Sequence, residues 1–124
     1  MNKIVRAKLI ETARKRNGFI QYQELSNKCG LKLSLQDIPQ HRTEIGNILA
    51  EISEFEHAGE RPLLSALVLN ASGEIGDGFY RLCEKLGFGS ARALKRDATF
   101  APMQMNKCYE FWQNDSNYLR FKDI

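Results

Sequence analysis

Histidine and cysteine are scarce in this chain of 124 residues, which has His41 and His57 and three cysteines, Cys29, Cys83 and Cys108. The cysteines are odd in number and far apart. No CxxC pair exists, and each cysteine sits beside apolar neighbours at helical intervals, so they read as buried thiols and not as a disulfide framework. Neither histidine stands at ligand spacing from a cysteine, so no metal is expected, and no cofactor. Long apolar runs are also missing, since none approaches the roughly 20 residues that span a bilayer. The opening MNKIVRAKLIETARKR carries charge throughout and has no apolar signal core, so the expected setting is the cytoplasm, with no membrane partner. The glycines of GEIGDG lack the lysine and spacing of a phosphate loop. No base, nucleophile or carboxylate pair is grouped by sequence, so an enzyme is not expected. Asp77 between two glycines comes nearest to a catalytic candidate, but it also reads as the N-cap of the helix after it.

What the chain does contain is ordinary for one globular domain: 43% hydrophobic and 27% charged residues, in a length that closes one core. The organising stretch is Arg61–Phe79, RPLLSALVLNASGEIGDGF, where an apolar run meets a glycine cluster. Pro62 blocks a preceding helix, and Leu63, Leu64, Ala66, Leu67, Val68 and Leu69 predict a short buried strand with Ser65 as a lone hydroxyl inside it. Asn70, Ser72 and Gly73 supply a turn. Phe79, Leu82, Cys83 and Leu86 then mark a helix stopped at Gly87.

Before that stretch, residues 2–17 predict a first helix with Val5, Leu9, Ile10 and Ala13 inward, Gly18 as the stop, and Arg14, Lys15 and Arg16 complementing its C-terminal end. QELSNKCG predicts a second helix with Leu25 and Cys29 inward, ended by Gly30. LKLSLQ reads either as a small strand or as a pinned connection. Asp37 with Pro39 and Gln40 has the composition of an N-cap and capping box for the longest helix. That helix has Ile45, Ile48, Leu49, Ile52 and Phe55 as its core stripe. After the central stretch, Ser90 is expected to cap a helical turn, and Pro102 to open a last helix with Met105, Cys108, Tyr109 and Trp112 packed inward. The division is then one domain over residues 1–113 and a polar tail over 114–124.

Charge is segregated. Residues 1–18 hold six cations against Glu11, and residues 81–96 hold Arg81, Lys85, Arg92, Lys95 and Arg96 against Glu84. Residues 37–60 reverse the sign, with Glu44, Glu51, Glu54 and Glu56 among six acids against Arg42. A basic and an acidic side are expected, either as solvated helix faces or as docking surfaces.

The element order, a helix, a short extended segment, a YxEL helix, a longer helix centred on EIGNIL, then proline, an apolar strand and a glycine turn, resembles a winged helix. It is similar in layout to the DNA-binding domain of alkylguanine alkyltransferases and alkyltransferase-like proteins over about residues 18–76. GFIQYQEL stands where that family has G-x-x-x-Y-G-x-L, TEIGNIL where it has R-A-V-G-x-A-L, and RPLLSALVLNASGEIG where it has the Pro-Cys-His-Arg strand and wing. Leu63 and Leu64 occupy the places of the reactive cysteine and histidine, so alkyl transfer is not implied. Thr43 replaces the family's arginine, with Arg42 adjacent, and Tyr22 corresponds directly to a residue beside the nucleotide-binding helix. The glycine turn followed by an aromatic C-terminal helix also resembles a set of small bacterial proteins, which implies no activity.

The fold class expected is therefore helix-rich α/β (α+β), a winged-helix-like single domain. The leading function is non-catalytic binding of nucleic acid, duplex DNA before RNA, through Arg14, Lys15, Arg16, Tyr22, Arg42, Arg92, Lys95 and Arg96. The alternative is an inhibitor or immunity-type module that uses Glu44, Glu51, Glu54 and Glu56 to mask a basic protein partner.

Overall fold

Asn2 is extended and its side-chain oxygen accepts the Val5 N–H at 2.9 Å, which caps the first helix, α1 (Lys3–Ala13). This computed structural model describes all 124 residues. Next come β1 (Ile20–Gln21), α2 (Tyr22–Lys28), α3 (Pro39–Ala58), a 3₁₀ turn (Leu64–Leu67) and β2 (Val68–Leu69). The chain finishes with α4 (Asp77–Lys85), α5 (Ala91–Arg96), α6 (Phe100–Trp112) and α7 (Asp115–Phe121). The two strands form a minimal parallel sheet, Ile20 opposite Val68 and Gln21 opposite Leu69. The result is one helix-rich domain in which no helix is long and apolar enough to cross a membrane.

The expected strand over 63–69 is mostly a 3₁₀ turn, and only Val68 and Leu69 extend. A continuous apolar run fits either geometry when every side is covered, and here α1, α3 and α6 all pack on the turn. Leu63 to Leu69 are all buried. Ser65 is not alone: its Oγ lies 2.6 Å from Ser53 Oγ, and Ser53 Oγ also accepts the Ser65 N–H at 3.1 Å. The α3 serine thus satisfies a polar pair inside a dry core.

Two packed clusters result. The main one joins Val5, Leu9 and Ile10 of α1, Leu25, Ile45, Leu49 and Ile52, the 3₁₀ leucines, Cys108 and Trp112. A smaller one joins Leu63, Ala66, Phe79, Cys83 and Leu94, with Tyr80, Phe88 and Phe100 packed against it. Gly30 and Gly87 take φ of +66° and +90° at the ends of α2 and α4, as their sequence positions anticipate. Ser90 caps α5, accepting the Ala93 N–H at 3.2 Å.

Other boundaries move. α1 stops at Ala13, so Arg14, Lys15 and Arg16 follow the helix instead of filling its last turn, and Asn17 rather than Gly18 takes the left-handed conformation. Asp37 does not cap α3; Ile38 is the N-cap, and the Asp37 carboxylate accepts the Ser34 hydroxyl at 3.0 Å. Likewise Gly76, not Asp77, is the N-cap of α4. LKLSLQ is a pinned connection. The Gln23 amide donates to Leu33 O at 2.8 Å and accepts the Leu35 N–H at 3.1 Å, and Ser26 Oγ accepts the Leu33 N–H at 3.2 Å. The 114–124 segment is no loose tail, because Asn114 caps α7, accepting the Asn117 N–H at 3.0 Å, and Tyr118 and Phe121 dock on the main core.

Burial governs the thiols. Cys83 and Cys108 are enclosed and Cys29 is half-buried. Desolvation pushes the Cys83 thiol up to about 12 and raises the Cys108 thiol as well, with the Glu56 carboxylate adding to the latter. Cys29 is expected to take iodoacetamide first at pH 8, read by mass spectrometry. Equal labelling of all three thiols would contradict the packing.

Candidate functional site

The smaller aromatic cluster holds α4 and α5 together as a unit. Phe79, Leu82 and Cys83 turn inward at i, i+3, i+4 spacing, Leu94 of α5 meets them, and Phe100 rings against Phe79, Tyr80 and Phe88 at centroid distances of 6.1–6.5 Å. With the apolar faces used up, Arg81, Lys85, Arg92, Lys95 and Arg96 are left exposed. The Glu84 carboxylate is absorbed by the corner between the helices, accepting the Ala91 N–H at 2.9 Å. Lys95 donates to Asp77 at 2.6 Å, and Lys85 to Glu54 of α3 at 2.8 Å. The hydrogen bond and the opposite charge of Lys95 hold the Asp77 carboxyl below its usual range and raise the Lys95 ammonium. Arg81, Arg92 and Arg96 have no carboxylate within ion-pair distance. Asp77 is therefore the partner of a surface ion pair in the first turn of α4.

The other sequence candidates do not join this group as one surface. Arg14 is committed to the fold: it donates to Trp112 O and to Asp115, each at 2.8 Å, and stacks 4.0 Å from the Tyr118 ring centre. Lys15 is exposed and lies 3.7 Å from Glu11, while Arg16 is exposed and unpaired. Tyr22 is half-buried, its hydroxyl packed at Gly76, where a Cβ would come within 3.1 Å of it. Burial raises its phenol. Arg42 donates to Leu35 O at 2.6 Å and His41 Nδ1 accepts the Ser34 N–H at 2.9 Å, so the start of α3 secures the preceding loop.

The four glutamates of the expected acidic side do not form one free surface either. Glu44 is exposed and free, but Glu51 lies 2.9 Å from the Met1 ammonium and Glu54 holds Lys85. Glu56 is fully buried and belongs to no surface. Its Oε2 accepts Arg6 Nε and its Oε1 accepts Arg61 Nε, both at 2.8 Å. Arg6 continues to the end of the chain, Nη2 donating to Phe121 O and Nη1 to Lys122 O, each at 3.0 Å. Phe55 lies under both guanidinium groups, 5.4 Å from that of Arg6 and 5.1 Å from that of Arg61. Two buried cations against one anion leave an excess positive charge, which the carbonyls ending α7 partly offset.

This network was absent from the sequence candidates, although a signal existed. Glu56 follows Ile45, Leu49 and Ile52 at i, i+4, i+7, i+11, and Arg6 precedes Leu9 and Ile10 by three and four residues, so both fall on core stripes.

No protein-family model, no curated protein and no solved structure matches the chain.

Proposed function

We propose that this chain is a non-catalytic nucleic-acid-binding protein of winged-helix type that grips duplex DNA by its phosphates through the outer face of α4 and α5. The observation carrying this reading is that Arg81, Arg92 and Arg96 are exposed and unpaired on two helices fixed to each other by their own aromatic core. Guanidinium groups are weakly hydrated and match phosphate geometry, so three of them on a rigid support are suited to backbone contact. Lys95 adds a fourth cation, since its pair with Asp77 is solvent-exposed and can exchange a carboxylate for a phosphate. Arg16 and Lys15 are accessible as a secondary contact, whereas Arg14 is withheld by Asp115 and Trp112. Leu63 and Leu64, which stand where the similar alkyltransferases have their reactive pair, are sealed in the core at 1% and 0% exposure, in keeping with a binding role. No observation favours the acidic face as a docking surface, because only Glu44 on it is both exposed and unengaged.

Anisotropy titration of a fluorescent duplex at several salt concentrations tests this reading. Affinity should fall linearly in log–log form, and Arg92→Ala and Arg96→Ala should each reduce the slope by about 0.9. Reversal of Glu51 and Glu54 to lysine should leave binding intact or tighten it. A protein that fails to bind duplex at low salt, or binds with a slope indifferent to Arg92 and Arg96, is not the one proposed.

A further inference from the structure

The basic turn that follows α1 has its backbone fixed from α6. The Gln113 amide donates to Ala13 O at 3.1 Å and to Lys15 O at 3.3 Å, and the Tyr109 hydroxyl donates to Gly18 O at 2.7 Å. The Lys15 N–H donates to Thr12 O at 3.1 Å and the Gly18 N–H to Lys15 O at 3.0 Å, which closes the turn on itself. Arg14, Lys15 and Arg16 are therefore three consecutive cations on a stiff support.

Arg14 is held on two sides by the fold and on a third by a charge that faces water. Its Nη1 donates to Trp112 O at 2.8 Å, and the Tyr118 ring centre lies 4.0 Å from the guanidinium carbon. Its Nη2 donates to the Asp115 carboxylate, also at 2.8 Å. The Arg14 side chain is 31% exposed and that of Asp115 is 81% exposed. An ion pair at such a surface is weak, so an incoming anion displaces the carboxylate at little cost. When Asp115 turns aside, Trp112 O and the Tyr118 ring still hold the guanidinium, with Nη2 aimed outward. The next two cations are open to the same approach. Lys15 shares Glu11 with Lys8, at 3.7 and 3.2 Å, and Arg16 is exposed and unpaired.

We propose that Asp115 is an electrostatic gate over a second phosphate contact. Its carboxylate stands where a backbone phosphate oxygen would bind Arg14, and a nucleic-acid phosphate that reaches the 14–16 turn takes its place. This rests on the nucleic-acid reading and adds the means by which that binding is held in check. A guanidinium suits the exchange, since it matches carboxylate and phosphate oxygens with the same planar donors. The exchange also conserves ion pairs. Arg14 gains a phosphate while Asp115 is left to recruit a solution cation, so the counterion released from the duplex is matched by one taken up, and the contact adds little to the salt dependence. Without the carboxylate the same contact counts in full.

Anisotropy titrations of the full-length protein with a fluorescent duplex, at about 50 and 200 mM salt, provide the test. They compare the parent with Asp115→Asn, Arg14→Gln and the double variant. Glutamine at 14 retains a donor for Trp112 O, and Asn114 still caps α7 beside an asparagine at 115, so each variant should keep the parent's denaturation midpoint. Asp115→Asn should tighten binding and raise the log–log slope by about 0.9, so that its gain shrinks roughly 3.5-fold across that salt range. Arg14→Gln should leave the parent's slope unchanged and abolish the gain in the double variant. Asp123→Asn, which removes a carboxylate 85% exposed just beyond α7, measures the effect of net charge alone. A parent slope indifferent to Arg92 and Arg96, together with an Asp115→Asn gain that needs Arg14, removes the α4–α5 grip and leaves the gate standing. A gain no larger than that of Asp123→Asn, a gain that survives Arg14→Gln, or an unchanged slope overturns the gate, and absence of duplex binding by Asp115→Asn at low salt overturns both.

Discussion

Replacing Glu56 with alanine should destabilise the protein by about 3–5 kcal/mol, enough to leave a marginally stable domain largely unfolded. The reason is what remains behind. Arg6 and Arg61 are 2% and 7% exposed, and without the carboxylate their Nε–H groups would face each other across a dry cavity. Glu56→Gln should cost less, because the amide oxygen still accepts one guanidinium, though the charge is lost. The triple substitution Arg6→Met, Glu56→Leu, Arg61→Met should recover most of the loss, since apolar side chains of similar volume need no partners. Urea denaturation followed by circular dichroism gives the comparison. A loss below about 1 kcal/mol for Glu56→Ala would mean that water already reaches the network.

Leu67→Ala should cost about 2–5 kcal/mol, the range for a leucine removed from a rigid core. Leu67 is 0% exposed at the end of the 3₁₀ turn, directly before the strand that pairs with β1. Its surroundings come from different parts of the chain, α1, α3 and α6, so they cannot collapse into the void by a local adjustment. An unchanged denaturation midpoint would remove the turn from the core.

The sequence made visible what depends on period and punctuation. Val5, Leu9 and Ile10, the Ile45–Leu49–Ile52 stripe, Cys108 and Trp112, Gly30, Gly87 and Ser90 are all where spacing and capping chemistry put them. It was less informative where a side chain chooses among distant partners. Ser65 looked stranded because Ser53, twelve residues earlier, is close only after α3 has packed on the turn. The tail looked free because its charges and amides are polar on paper. Asn114 starts a helix there, and the carbonyls that end it meet Arg6 from the other end of the chain. The same blindness put Glu56 on an acidic surface and Arg14 in a basic one, where net charge was counted without knowing which charges face each other.

The link between Arg6 and the carbonyls of Phe121 and Lys122 spans separations of 115 and 116 residues. A ribosome releases the chain from its N-terminus, so Arg6 and α1 emerge early and wait. Glu56 follows when α3 is made, but the last acceptors are supplied only when α7 has cleared the exit tunnel. At about 5–20 residues per second, the interval between the first and last partners is on the order of 6–25 s. For that time the Arg6 guanidinium lacks the carbonyls that complete it, although the apolar face of α1 is covered sooner, by the 3₁₀ turn and then by α6. Slowing translation between the codons of α6 and those of α7 should therefore lower the soluble yield more than the same pause placed before α3.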